Sequence, residues 1–300
     1  GDGKGYVYVL NPMTGVIRKK IQASNASQFL SPGSVGTPLG LARINNWVDD
    51  TNVNNTTLRV YGGDLQGYLW RFNLDAGTAY SVARYTDPAG VFQPVTVKPE
   101  LGEVNGLAMV YVGTGRMLGV SDVSTTQVQS IYGIKDATNG TAPASPINVR
   151  GATIVAQTLT NSPDGNTRTG TSNTVDLTTK NGWRVDLPES KERVNIDPKL
   201  QLGTLIVGSN IPAASACTAG GTGWLNFFDY KTGGYIQSSG NTLVSMKIGN
   251  ALIVGISVVR LPGDKTVAIV TTSDNKYPNV APPFSTPGLT GTRSTWRELP

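Results

Sequence analysis

The stretch GGDLQGYLWRFNL, residues 62–74, decides how this chain is read. Gly67 separates two short apolar runs, 58–62 and 68–74. The second alternates large apolar with polar side chains, as a strand buried on one face should. A hairpin within a larger sheet is predicted. Outward from it, strand-like segments are predicted at 6–10, 16–21, 36–43, 79–85, 91–97, 107–113, 129–134 and 152–158. The second half adds 182–187, 202–209, 224–229, 251–259 and 265–270. No 12-residue stretch has helical periodicity with caps, so the chain is predicted to be all-β.

Grouping the strands gives antiparallel sets of about four, one of them 36–43, 58–62, 68–74 and 79–85. Four-stranded sets packed radially make the blades of a β-propeller, which hides strand edges by closing its ring. Roughly four blades' worth of strands are present. Three segments are predicted as loops: the Asn- and Asp-rich 45–57; 161–173 (NSPDGNTRTGTSN), expected to be a tolerated insertion; and the proline-rich 274–291.

Composition agrees with a globular β-protein. The 36 glycines and 18 prolines in 300 residues exceed the roughly 12 % of an average protein and imply many turns. Charged residues make up 15 %, against a usual value of about 25 %. The formal net charge is +5, but the densest basic run is only Arg18-Lys19-Lys20, so nucleic-acid binding is not expected. Cys217 is the single cysteine, which removes intrachain disulfides and paired-cysteine metal motifs. Histidine is absent, which removes Ser-His-Asp and Cys-His catalysis and imidazole metal sites. The longest apolar run, 251–259, is far short of the roughly 20 residues of a spanning helix. Gly1 is not an initiator methionine, so either a signal peptide has been cleaved or, as a strand starting almost at once favours, the chain is a fragment of a longer polypeptide.

Several motifs, in order, resemble the β-propeller domain of the PilC/PilY family of type IV pilus biogenesis proteins and adhesins. They are YVYVLNPMTG (6–15), YGGDLQGYLWRFNL (61–74), YVGTGRML (111–118), QSIYGIK (129–135), GWRVDLP (182–188), ERV (192–194), SNIP (209–212), GGTGWLNFFDYKTGG (220–234) and STWREL (294–299). The resemblance covers almost the whole chain. It implies a partial, quinoprotein-like β-propeller over residues 1–300, the C-terminal portion of a domain of about seven blades whose N-terminal blades lie outside this chain.

The resemblance also implies a calcium loop just before the GGDLQG hairpin, spanning 50–58. Asp50, Asn52 and Asn54 fit its first, third and fifth positions, and the Thr56 carbonyl fits the seventh. Ca²⁺ takes six to eight oxygen ligands. Leu58 stands at the ninth position, where the family pattern has an acid, so any affinity should be weak. The other reading is an Asx-rich loop held by its own side-chain to backbone bonds; Asp49 or Asp64 are the acids near enough in sequence to compensate. The integrin-binding tripeptide of the family is absent; Arg150-Gly151-Ala152 comes nearest and lacks the carboxylate. Trp70, Trp183, Trp224 and Trp296 are expected to pack between blades. Gly113-Thr114-Gly115 and 220–223 are expected to be turns, since neither precedes a helix or carries the phosphate-loop Lys-Ser/Thr.

The function implied is that of a non-enzymatic pilus biogenesis and adhesion module, exported to the bacterial cell surface, pilus-associated or at the outer membrane. Minor pilins of the pilus tip complex, and a host-cell surface, are the implied partners, with Ca²⁺ as a modulating ion. Two alternatives share propeller wording: a quinoprotein (PQQ-dependent) dehydrogenase and an outer-membrane assembly scaffold. The first would need a bound quinone with calcium and a catalytic Asp.

Overall fold

Strands supply nearly all the regular structure of the computed structural model, which describes residues 1–49, 53–136, 141–213, 220–261 and 265–283. A two-stranded hairpin, β1 (Tyr6–Leu10) and β2 (Ile17–Gln22), comes first. The first complete blade is β3 (Ile44–Trp47), β4 (Arg59–Gly63), β5 (Tyr68–Asn73) and β6 (Thr78–Arg84), an antiparallel meander. The second begins with β7 (Glu100–Val104), β8 (Leu107–Gly113) and β9 (Ser130–Asp136). A long insertion follows, carrying β10 (Ile147–Asn148), β11 (Ile154–Gln157), β12 (Leu159–Asn161) and β13 (Thr167–Gly170), before β14 (Gly182–Asp186) completes the blade beside β9. The third is β15 (Lys199–Gln201), β16 (Thr204–Pro212), β17 (Gly221–Asp229) and β18 (Leu243–Gly249). A three-stranded sheet ends the series: β19 (Ile253–Leu261), β20 (Lys265–Thr272) and β21 (Asn279–Val280). This is a four-blade propeller arrangement, as the strand grouping predicts.

The first strands of successive blades touch: β3 meets β7, β7 meets β15, and β15 meets β19. The last strands, β6, β14 and β18, therefore form the outer rim. Unpaired rim strands are templates for unwanted pairing, and here the one insertion covers all three. β10 lies parallel to β6, β11 parallel to β14, and β13 antiparallel to β18. Ahead of β10, Gln28 continues the cover on β6: its Nε2 donates to the Ser81 carbonyl and its Oε1 accepts from the Ser81 amide, both at 2.8 Å.

Apolar side chains fill the spaces between blades. Trp70, Trp183 and Trp224 are buried there as expected; Trp296 lies outside the described residues. Trp183 packs between Tyr111 and Phe228, with ring centroids 6.1 and 6.2 Å away, and its indole N–H donates to the Tyr230 carbonyl at 3.1 Å.

Several expectations need correction. Residues 36–43 form no strand; Pro38 and Gly40 (φ +62°) interrupt any ladder, and single bonds from Leu39 N, Leu65 N and Ala42 N tie the segment down. The innermost strand is Ile44–Trp47, which overlaps the start of the predicted 45–57 loop. Likewise 91–97 is not a strand. It is a linker containing Pro94, whose Val95 and Val97 are nonetheless buried. Strand β7 was not anticipated, although Asn105-Gly106, both at positive φ (52° and 75°), is the two-residue turn that joins β7 to β8. Nor is 220–223 a turn: β17 starts at Gly221, and Gly221, Thr222 and Gly223 pair with Pro212, Ile211 and Asn210 of β16. The last concerns 161–173. It is no mere tolerated loop, since Thr167–Gly170 is a strand of the third blade's sheet and its Arg168 is completely buried.

Candidate functional site

In an antiparallel meander successive turns alternate between two ends, so the chain order sorts the loops into two faces. One face carries the GGDLQG turn (64–67), the loop 114–129, and the linkers 85–99 and 187–198. The opposite face carries residues 48–49 and 53–58 and the turns 74–77, 105–106 and 202–203. The described part of the predicted calcium loop, 53–58, and the hairpin adjoining it in sequence therefore lie on opposite faces of the first blade.

On the hairpin face the tripeptide Glu192-Arg193-Val194 does three jobs. Val194 N donates to the Thr114 carbonyl at 2.9 Å, and its side chain occupies the space a Cβ on Gly113 would need, 2.4 Å away. The first blade repeats this with Val95 N on the Asp64 carbonyl at 2.8 Å and Val95 2.2 Å from a Cβ built on Gly63. Gly63 and Gly113 are thus where a linker crosses a strand end, and Gly113-Thr114-Gly115 is part of that crossing. Arg193, nearly buried, donates to the carbonyls of Lys191, Arg116, Asp122 and Thr125 and so gathers the 114–129 loop. Asp122 finishes the fold of this loop by accepting from Arg116 Nε (2.7 Å), Leu118 N and Gly119 N; burial opposes its charge, but these donors hold it below its ordinary pKa. A cleft of about 160 Å³ opens between Leu65, Phe92, Pro94, Gln127 and Arg193. Val91, Phe92, Leu118 and Val120 stand exposed on this same face.

The hairpin's acid faces inward. Asp64 accepts from Gln66 N (2.8 Å), Tyr68 N (2.9 Å) and Trp70 Nε1 (2.6 Å) and is wholly buried. It cannot serve as a calcium ligand for a loop at the other end of the blade.

Of the predicted metal ligands, Asp50 and Asn52 lie outside the described residues. Asn54 Oδ1 accepts from Thr56 N at 2.9 Å and Thr56 Oγ1 at 2.6 Å, an Asx turn. Leu58 is half exposed at the ninth position. Asp49 is ion-paired with Arg59 and accepts from Trp47 Nε1 at 3.0 Å. The described residues 53–58 thus fit a turn closed by its own hydrogen bonds, with Asp49 already committed.

Sequence reasoning passed over the arginines that join blades. Arg71 donates to Asp136 Oδ2 at 2.7 Å, and the Tyr61 hydroxyl donates to the same oxygen at 2.5 Å, linking the first blade to the second. Burial, then the Asp136 charge, pushes the Tyr61 hydroxyl well above its ordinary pKa. Arg150 of the insertion reaches Asp186 (2.9 and 2.8 Å), Ser130 and Tyr132 on the second blade and the Thr86 carbonyl after the first. Burial opposes charge on Asp186, but Arg150 and Ser130 outweigh it and hold the carboxyl below its ordinary pKa. The Arg150-Gly151-Ala152 wording thus marks a blade junction. Arg168 makes a two-pronged pair with Glu192 and stacks 3.7 Å from the Trp224 ring. A local signal existed only for its strand, the short alternation Thr167-Arg168-Thr169.

No family model matches the chain. A type IV pilus biogenesis factor PilY1 homolog of Xylella fastidiosa is 31 % identical over 269 residues, 78 % of this chain and 17 % of that protein. Type IV pilus biogenesis factor PilY1 of Pseudomonas aeruginosa is 25 % identical over 282 residues, 78 % of this chain and 23 % of it. The crystal structure of the P. aeruginosa PilY1 C-terminal domain has the same fold, with a TM-score of 0.72 at 19 % identity over 94 % of this chain and 67 % of that one. The chain spans about a fifth of the length of these curated relatives.

Proposed function

Since this chain belongs with the C-terminal propeller domains of PilY1-type proteins, we propose that it serves type IV pilus biogenesis as a non-enzymatic platform, exported to the cell surface and held at or near the pilus tip. The observation that carries this reading is the 31 % identity over 269 residues with a pilus biogenesis factor, on a matching fold. The platform part is physical. Blades cross-linked by buried arginine pairs form a stiff support, and loops on a stiff support are where partner binding concentrates. Minor pilins are the proposed partners of the hairpin face, where apolar side chains surround a cleft; attachment to a host surface is a further proposed role. Calcium is proposed to act weakly, through the 50–58 loop. Among the described residues, no helix is long and apolar enough to cross a membrane.

The test is genetic and biochemical. In a bacterium making the full-length protein, the segment corresponding to residues 1–300 is deleted while export is maintained. Surface pili should fall sharply, and minor pilins should no longer co-purify. Normal piliation with the truncated protein exported would overturn the reading. Quinone absorbance in the purified protein would overturn its non-enzymatic part.

A further inference from the structure

Arg84 closes β6 on the outer rim, and its guanidinium is held between two rings, 4.3 Å from the Tyr68 centroid and 3.3 Å from that of Phe92. Among the described residues its side chain makes no hydrogen bond and no ion pair, and its Nε is buried without a partner. Arg71, Arg150 and Arg168 each meet a carboxylate. The acid that acts on Arg84 through space is Asp64, whose carboxylate is spent on Gln66, Tyr68 and Trp70.

The guanidinium borders a cleft of about 340 Å³, shared with Leu30, Tyr68, Pro146, Ile147 and Asn148. Asn148 sits beside Arg84 in the β10–β6 register, and its Oδ1 accepts from Arg150 N at 3.0 Å, leaving its Nδ2 as a second donor to the cleft. The polar donors facing this space thus suit an acceptor with negative charge. A planar guanidinium, fixed by stacking, presents parallel N–H groups that match the two oxygens of a carboxylate. Leu30, Pro146 and Ile147 supply an apolar wall for the group next to that carboxylate, and the volume has room for a short peptide segment.

We infer that the cleft at Arg84 is a recognition site for a carboxylate on a peptide, an acidic side chain flanked by apolar residues. The segment docks against the rim where β10 meets β6. Arg84 takes the carboxylate and Asn148 adds a donor, while the two rings keep the guanidinium from turning away when the site is empty.

The probes are the peptides Ac-Leu-Asp-Leu-NH2 and Ac-Leu-Asn-Leu-NH2, which differ by the carboxylate, and N-acetylneuraminic acid. They are titrated into the 300-residue chain labelled with 15N-arginine, with the Arg84 Nε–Hε signal assigned by its loss in Arg84→Lys. The Asp peptide should shift that signal saturably, at least tenfold more tightly than the Asn peptide. Arg84→Gln should weaken binding at least tenfold, followed by an unlabelled-site readout such as tryptophan fluorescence. An unmoved signal at several millimolar peptide, an equal response to the Asn peptide, or a response to N-acetylneuraminic acid alone would overturn the inference, the last assigning the site to acidic sugars. The wild-type titration decides the matter even if Arg84→Gln fails to fold.

Discussion

Arg168 and Glu192 meet through two parallel hydrogen bonds of 2.8 and 2.9 Å, and neither side chain reaches solvent. Arg168 comes from the insertion in the second blade and Glu192 from the linker into the third, so the pair ties the rim strand β13 to the route between blades. Ser209 completes the arrangement, its hydroxyl donating to Glu192 Oε1 at 2.6 Å.

Breaking one half of a buried pair strands the other charge. Arg168→Met is expected to cost about 3–5 kcal/mol in denaturant unfolding. The double variant Arg168→Met/Glu192→Leu is expected to recover much of that loss, because no charge is left behind. A double variant as unstable as the single one would refute this account.

Where a linker crosses Gly63, there is no room for a methyl group. Gly63→Ala would set a Cβ 2.2 Å from Val95 Cγ1, an overpacking expected to cost about 1–3 kcal/mol. Adding Val95→Ala should relieve part of the clash, so the two changes together should be less harmful than their sum. Simple additivity of the two unfolding energies would count against the crossing.

Burial pushes the Asp64 carboxyl up to about 6 from an ordinary 3.8, against the opposing pull of hydrogen bonds from Trp70, Tyr68 and Gln66. The folded chain then holds this proton more tightly than the unfolded chain does. Stability from Asp64 should be greatest below about pH 4, fall as pH rises to about 6, and stay level above. Thermal midpoints of wild type and Asp64→Asn across pH 4–7 check the sign: their difference should change only inside that window.

Calcium bound weakly to the folded state alone should raise stability by RT ln(1 + [L]/Kd). A Kd of about 1 mM, in the weak extracellular range, predicts about 1.4 kcal/mol in 10 mM calcium. The melting midpoint should rise, return on adding chelator, and no longer respond in Asp50→Asn. An unchanged wild-type midpoint would remove calcium from the proposal.

Much of the architecture was legible because short-range chemistry dictates it. The alternation in Tyr68–Asn73, with Gly67 ahead of it at φ +80°, marks a strand leaving a tight turn, but the burial on one face that it predicts is overturned: Tyr68 to Phe72 are all buried, Arg71 included, because blades and rim cover both faces. Blade grouping follows from such strands recurring at short intervals. The Asn105-Gly106 hairpin was equally legible and went unread because the preceding strand, Glu-Leu-Gly-Glu-Val, is too polar to advertise itself. The loss of 36–43 as a strand came from giving apolar content more weight than Pro38 and Gly40.

The sequence by itself determined an all-β chain, its blade-like repeats, and the exclusion of histidine chemistry, since each depends on residue identity or on neighbours a few positions away. Tertiary structure alone decided that Arg150 and Arg168 are blade junctions, that Asp64 turns inward to Trp70, and that Arg84 lies between two rings with no carboxylate against it among the described residues. An arginine written in a polar stretch reads as surface. Whether it is buried, paired or waiting for a carboxylate depends on partners 18 to 65 positions away, such as Asp186, Glu192 and Asp136, and no local pattern records where the fold will bring them.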